Sequence, residues 1–239
     1  MKRITVLPIA LLFVGSSAFA SPACVQTTLD NYITSYSGFA NGCTIGDKLF
    51  YNFGYSAAVN GGTPPGANDV QIAPDPGDGV TRPGLLFSVG AFLAFPGDIL
   101  DATITYTVAT TSGLSLIQGY DLVIAGSHTA QPIGGGFGSV EESFSNNPPG
   151  APLVTSIGPL NASVLSANTN FPVRVSSVTV TTKIHLESPD SVRPPFDVVT
   201  ISAIQEHFSE FSQVPEPYSA GLIGAGLLII GLRSRSRKY

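Results

Sequence analysis

An all-β fold, a single antiparallel β-sandwich of jelly-roll-like or immunoglobulin-like topology with one short N-terminal helix, is what this chain predicts. Three observations lead there. Apolar residues recur with period two in one short run after another, Gly and Pro separate those runs at short intervals, and no helical period alternates with them. The composition agrees, because 26 Gly, 19 Pro and only 11% charged residues in 239 suit strands joined by turns better than helices.

The chain opens with Lys2 and Arg3, an apolar run from Ile4 to Val14, and small residues ending Ala18-Phe19-Ala20. That pattern is a secretory signal peptide over 1–20, with cleavage after Ala20. Nothing between Ser21 and Gln213 is apolar for long enough to span a bilayer, so 21–213 is expected to be one exported domain with a real core. Val25, Leu29, Ile33 and Tyr36 recur at spacings of three and four, which predicts an amphipathic helix over about 25–35, ended by Gly38 and Gly42.

From Thr44 the period becomes two. Leu49, Tyr51, Phe53 and Tyr55 alternate with Phe50, Asn52 and Gly54, predicting a strand with one aromatic, buried face. Asn60 to Gly66 is a loop, and Val70 and Ile72 mark a brief strand before Pro74. Gly84 to Ala94 is a strand with Leu85, Phe87, Val89 and Ala91 on one side, and Phe95-Pro96-Gly97-Asp98 is a turn. Ala102 to Val108 opposes Ala102, Ile104, Tyr106 and Val108 to Thr103, Thr105 and Thr107, the cleanest half-buried strand in the chain. Further strands are expected over Leu114 to Ile124, around Val140, over Val173 to Leu186 and over Val198 to Ile204. The apolar parity shifts between Val175 and Val178, which predicts a β-bulge near Ser176-Ser177. Eight to ten strands result, after which the chain is expected to leave through Phe208 and Phe211.

The C-terminal stretch 214–239 has three parts: Val214-Pro215-Glu216-Pro217, an apolar run from Tyr218 to Leu232, and a basic end with Arg233, Arg235, Arg237 and Lys238. The two prolines fix two φ angles and remove two backbone donors, so a helix can begin only at or after Pro217. As a helix the apolar run would rise about 22 Å, a short span against a hydrocarbon core of roughly 30 Å. The basic end belongs on the cytoplasmic side. Motif, short span and basic terminus in this order resemble the PEP-CTERM sorting signal of Gram-negative bacterial exoproteins. The resemblance implies a membrane anchor that is transient, processing by an exosortase near Pro217, and delivery to the cell surface or extracellular matrix. Gly42 to Phe50 together with Cys24 resembles the N-terminal region of a group of such exoproteins, and that likeness carries no catalytic residues with it.

Charge separates the body from its ends. Residues 21–213 hold five basic residues, Lys48, Arg82, Arg174, Lys183 and Arg193, against fifteen carboxylates, a formal charge of −10. Such a surface repels phosphate backbones, so nucleic acid is not an expected partner. Cys24 and Cys43, the two cysteines of an exported chain, read as a disulfide; no histidine lies near enough to complete a metal site.

Each candidate for chemistry has a plainer reading that wins. His128, His185 and His207 lie on different elements and read as surface or strand-end histidines. Glu141 and Glu142 are neighbours and point to opposite faces of a strand, so they form no catalytic pair unless a distant acid completes one, and both read as solvated charge. Asp75-Pro76-Gly77-Asp78-Gly79 lacks a full calcium-loop pattern and reads as a turn. Asn161-Ala162-Ser163 is formally a glycosylation acceptor, and neither a nucleophile elbow nor a phosphate-binding glycine loop is present. No catalytic, cofactor-binding or metal-binding residue is therefore expected. The expectation is a non-enzymatic surface or matrix protein associated with exopolysaccharide or biofilm. The alternative is a carbohydrate-binding module or carbohydrate-active enzyme on the same sandwich, for which Tyr51, Tyr55, Tyr106 and Tyr120 would have to replace the absent Trp as platforms.

Overall fold

The computed structural model describes residues 21–77, 82–111, 115–128, 136–145, 152–158, 165–189 and 198–212. The signal peptide with Ala18 and Ala20, the tail 214–239 with Pro215, Glu216, Pro217 and its basic residues, Asp78-Gly79 and Asn161 to Ser163 lie outside them. Among the described residues no helix is long and apolar enough to cross a membrane.

Two six-stranded antiparallel sheets make up the fold. The strands are β1 (Thr27–Thr28), β2 (Cys43–Ile45), β3 (Lys48–Val59), β4 (Gln71–Asp75), β5 (Gly84–Ala94), β6 (Ile99–Thr110), β7 (Ser115–His128), β8 (Phe137–Phe144), β9 (Leu153–Ile157), β10 (Ser166–Val175), β11 (Ser177–Glu187) and β12 (Val199–Ser212). One sheet runs β2-β3-β6-β11-β8-β9 and the other β1-β4-β5-β12-β7-β10. From β5 onward the pairing is nested: β8 with β9, β7 with β10, β6 with β11 and β5 with β12. The inner faces interdigitate into one core in which Phe53 stacks on Tyr106, Phe50 meets Phe208 edge-on, and Tyr120 meets Phe208 at 5.0 Å between ring centroids.

Strand β6 keeps the alternation that its sequence predicts, with Leu100, Ala102, Ile104, Tyr106 and Val108 buried. Strand β3 does not keep one face. Its register to β6 shifts between Tyr51 and Gly54, and Asn52 takes φ 56° there while its N–H donates to the Tyr36 carbonyl at 2.8 Å. The bulge swaps parity, so Phe50 and Phe53 both reach the core while Tyr51 and Tyr55 stay half-buried. At Ser176 the sequence parity shift has a different cause from the bulge expected. Strand β10 ends there in one sheet and β11 begins in the other, so the break is a corner that carries the chain across the core.

The helix α1 (Leu29–Ser35) is shorter than expected, because Thr28 caps it and Val25 stands exposed outside it. It buries Leu29 and Tyr32, and Tyr32 meets Phe53 of β3 edge-on at 4.9 Å. A Cys24–Cys43 disulfide, with Cα atoms 4.8 Å apart, fastens the segment before α1 to β2. Backbone bonds from Cys24 to Thr44 and from Thr44 to Pro22 brace it.

Candidate functional site

Two carboxylates meet in the middle of the sandwich. Glu142 stands on β8 and Glu206 on β12, so they arrive from opposite sheets, and neither is exposed at all. Glu142 lies opposite Thr182 in the β8–β11 register. The Thr182 hydroxyl sits 3.1 Å from Glu142 Oε1 and 3.0 Å from Glu206 Oε1. The Tyr106 hydroxyl donates to Glu206 Oε2. A threonine hydroxyl has one proton to give, so it cannot donate to both acids at once. One of the two contacts therefore needs a proton carried by a carboxyl group. A proton on Glu142 Oε1 donates to the Thr182 hydroxyl and frees that hydroxyl to donate to Glu206 Oε1, while Glu142 Oε2 and the Tyr120 hydroxyl stay without a partner at hydrogen-bond geometry.

The electrostatics point the same way. Burial pushes Glu142 well above the usual carboxylate range, and the neighbouring Glu206 pushes it further. Burial also raises Glu206, although hydrogen bonds from Glu142, Tyr106 and Thr182 hold it back. Tyr106 and Tyr120 are pushed well above the ordinary phenol value by burial and by the two acids. Like charges this close in a dry site do not both ionise. Glu142 is thus a correction to the solvated charge that the sequence suggests, whereas Glu141 faces outward and half-exposed, with Lys183 3.8 Å away.

The distant acid had a legible signal. Val140, Glu142 and Phe144 share one parity, as do Ile204, Glu206 and Phe208, so each glutamate interrupts the apolar side of its own strand. What the sequence does not carry is the register that sets them face to face across 64 positions.

Two smaller polar groups lie toward the rims. Lys48, with no exposure, has Nζ 2.7 Å from Asp47 Oδ1 and bonded to Glu210 Oε1. Burial, then the neighbouring Asp47, raises Glu210 to about 7 despite the lysine. At the other place, Asp75 Oδ2 accepts from Gln205 Nε2 at 2.6 Å and lies 3.2 Å from His207 Nε2. His207 is mostly buried there, within β12, a correction to the surface or strand-end histidine expected, while His185 sits on the outer face with Nδ1 2.7 Å from Asp101 Oδ1. The His128 side chain lies outside the described residues. Asp75 Oδ1 accepts from the Gly77 N–H at 2.8 Å, the turn that the sequence predicts. Among the described residues no three His, Cys, Asp or Glu side chains come together as metal ligands.

A groove of about 440 Å³ opens between the 60–66 loop and the 95–98 turn. Val59, Pro64, Pro65, Leu93 and Phe95 supply its apolar lining, and Thr63, Asp69 and Asp98 its polar groups. The four tyrosines offered as platforms are not in it; Tyr106 and Tyr120 are core residues.

No family model and no curated protein matches this chain. Among solved structures it is similar to the enzymatically active domain of tailspike protein 4 of bacteriophage CBA120, at 12% identity and a TM-score of 0.22 over 73% of this chain. The match spans 21% of that chain, about a fifth of its length. The likeness transfers no residue role.

Proposed function

We propose that this chain is a non-enzymatic surface or extracellular-matrix protein, exported through its signal peptide, held at the inner membrane by 218–232, sorted outward by an exosortase and associated with exopolysaccharide. The observation that supports a non-catalytic role is the sealing of Glu142 and Glu206. They are a pair of facing acids of the kind acid–base chemistry uses, and with no exposure no substrate reaches them without parting the sheets. The outward acids Asp101 and Glu141 are exposed and paired in register with His185 and Lys183 on the outer face of their sheet.

The strand order supports the jelly-roll reading over the immunoglobulin one. Strands β5 to β12 form the quartets β5-β12-β7-β10 and β6-β11-β8-β9, as a long hairpin of eight strands does when rolled into two sheets. Such scaffolds host binding and catalysis alike, so function rests on the sites. A carbohydrate-binding reading is favoured second by the groove, where a ring and two carboxylates line one cleft. The test is recovery of the protein from the cell surface and matrix, with an assay for reducing ends released from the producer's own exopolysaccharide. The expected result is matrix-bound protein and no release. Release of reducing ends by the purified protein would overturn the non-enzymatic reading.

A further inference from the structure

We infer that the groove between the 60–66 loop and the 95–98 turn is a subsite for a neutral oligosaccharide segment, with the Phe95 ring as its stacking face and Asp69 and Asp98 as acceptors for sugar hydroxyls. The inference rests on the surface-and-matrix reading and deepens it by naming the site and the class of sugar. A sugar ring offers an apolar C–H face and a rim of hydroxyl donors. The groove offers the complement, apolar side chains and carboxylate acceptors lining one cleft, and its volume of about 440 Å³ falls within the roughly 300–1,000 Å³ of small-molecule clefts.

Phe95 is 55% exposed, and its place is built with care. The Asp98 N–H donates to the Phe95 carbonyl at 2.8 Å, and Gly97, at φ 85°, donates to the Ser188 carbonyl at 2.8 Å. Ser188 returns a bond to the Asp98 carbonyl at 3.0 Å. From the other wall, Asn60 accepts from the Ile99 N–H at 2.8 Å and donates to the Gly97 carbonyl at 3.3 Å. That wall is itself tied, because the Tyr55 hydroxyl donates to the Pro65 carbonyl at 3.0 Å and Asp69 Oδ2 accepts from the Gly66 N–H at 2.8 Å. Both sides are held before any ligand arrives, which lowers the ordering cost of binding.

Space is kept for the acceptor as well. A Cβ on Gly61 would lie 2.9 Å from Asp98 Oδ1, so glycine there leaves the carboxylate room. Among the described residues neither Asp69 nor Asp98 forms an ion pair, and although Asp69 Oδ2 accepts from Gly66, each carboxylate keeps acceptor capacity for sugar hydroxyls in charge-assisted bonds. The charge of −10 on the body disfavours anionic polymers, and this selects neutral sugars.

The experiment is affinity electrophoresis of the secreted protein in gels containing hydroxyethyl cellulose, starch or galactomannan, with alginate as the anionic comparison. Retardation by at least one neutral polymer is expected and none by alginate. Phe95→Ala should weaken it about tenfold, the loss of roughly one buried aromatic contact, and Asp98→Asn severalfold, both with unchanged melting temperature because the side chains lie outside the core. No retardation in all three neutral gels, a Phe95→Ala protein that migrates as the wild type, or stronger retardation by alginate would each overturn the inference. Cell fractionation separates this from the broader reading: wild-type protein found only in the cytoplasm would sink that reading whatever the gels show, whereas surface protein that ignores neutral polymers would sink the groove alone.

Discussion

At the scale of single residues the Glu142–Glu206 pair sets an unusual pH dependence. Both groups titrate above the ordinary carboxylate value in the fold, so the folded state keeps protons that the unfolded state has given up. Their contribution to stability is complete below the unfolded value near 4.3 and is lost as pH rises through the folded values, at about 1.4 kcal/mol per pH unit for each retained proton. Asp47 and Asp75 have the opposite sign. Burial alone would raise them, but bonds from Glu210 and Lys48 to the first, and from Gln205 and Gly77 to the second, hold them low, and their contribution is lost only as pH falls through those low values. Denaturant midpoints should therefore fall as pH rises from about 5, and Glu142→Gln should flatten that slope by removing the titrating proton while keeping a donor. An unchanged slope in Glu142→Gln would show that the pair is not the source. Close packing gives a second expectation nearby. A Cβ on Gly84 would fall 1.7 Å from the Glu206 carbonyl oxygen, and since backbone must move to admit it, Gly84→Ala should cost about 1–3 kcal/mol in equilibrium unfolding.

At the scale of elements, legibility followed burial on one side. Strand β6 was readable because one face is apolar core and the other a threonine ladder, and β5 was bounded by its Gly and its Phe-Pro-Gly turn. Parity failed where the chain changed sheet or bulged. The shift near Ser176 looks the same in sequence whether a strand kinks or crosses the core, and only pairing distinguishes them. Asn52 shows the same limit, since a positive φ at a single asparagine has no periodic trace. Strand β9 and the first half of β10 carry too few apolar residues in alternation to stand out from their polar surroundings. The groove was legible only as its two turns, Asn60 to Gly66 and Phe95 to Asp98, whose 3D neighbourhood depends on β3 and β6 running antiparallel in register. The disulfide, by contrast, needed only a count of two. Closing a nineteen-residue separation constrains the unfolded chain, so Cys43→Ser should lower stability by about 2–4 kcal/mol in denaturant titration, with α1 and β2 the first elements to lose hydrogen-exchange protection. Uniform loss of protection across both sheets would instead show that the bridge supports the fold as a whole.

At the scale of the whole molecule, the sorting reading predicts a mature surface form lacking Leu222 to Tyr239, cut near Pro217. Replacing Pro215 and Pro217 by Ala lets a helix run back through the motif, and full-length membrane-bound protein should accumulate; replacing Arg233, Arg235 and Arg237 by Glu should disturb orientation. Mass spectrometry of the C-terminal peptide decides, and intact Lys238-Tyr239 on surface protein would make the tail a plain anchor. The nested pairing has a further consequence, for the order of events as the chain is made. Synthesis delivers the N-terminal half first, and β4 with β5 and β3 with β6 can pair early, yet β5, β6 and β7 complete their pairing only when β12, β11 and β10 arrive. The innermost pair, β8 with β9, is separated by a short connection and can close at once; each later pair spans a longer loop and closes at greater entropic cost. The nascent chain thus zips outward from its middle, and β12, which fills the slot between β5 and β7, is the keystone. A chain truncated before Val199 leaves two strand edges open in one sheet and should be digested by protease, and in a truncation series resistance should appear in a single step once all fourteen residues of β12 are present.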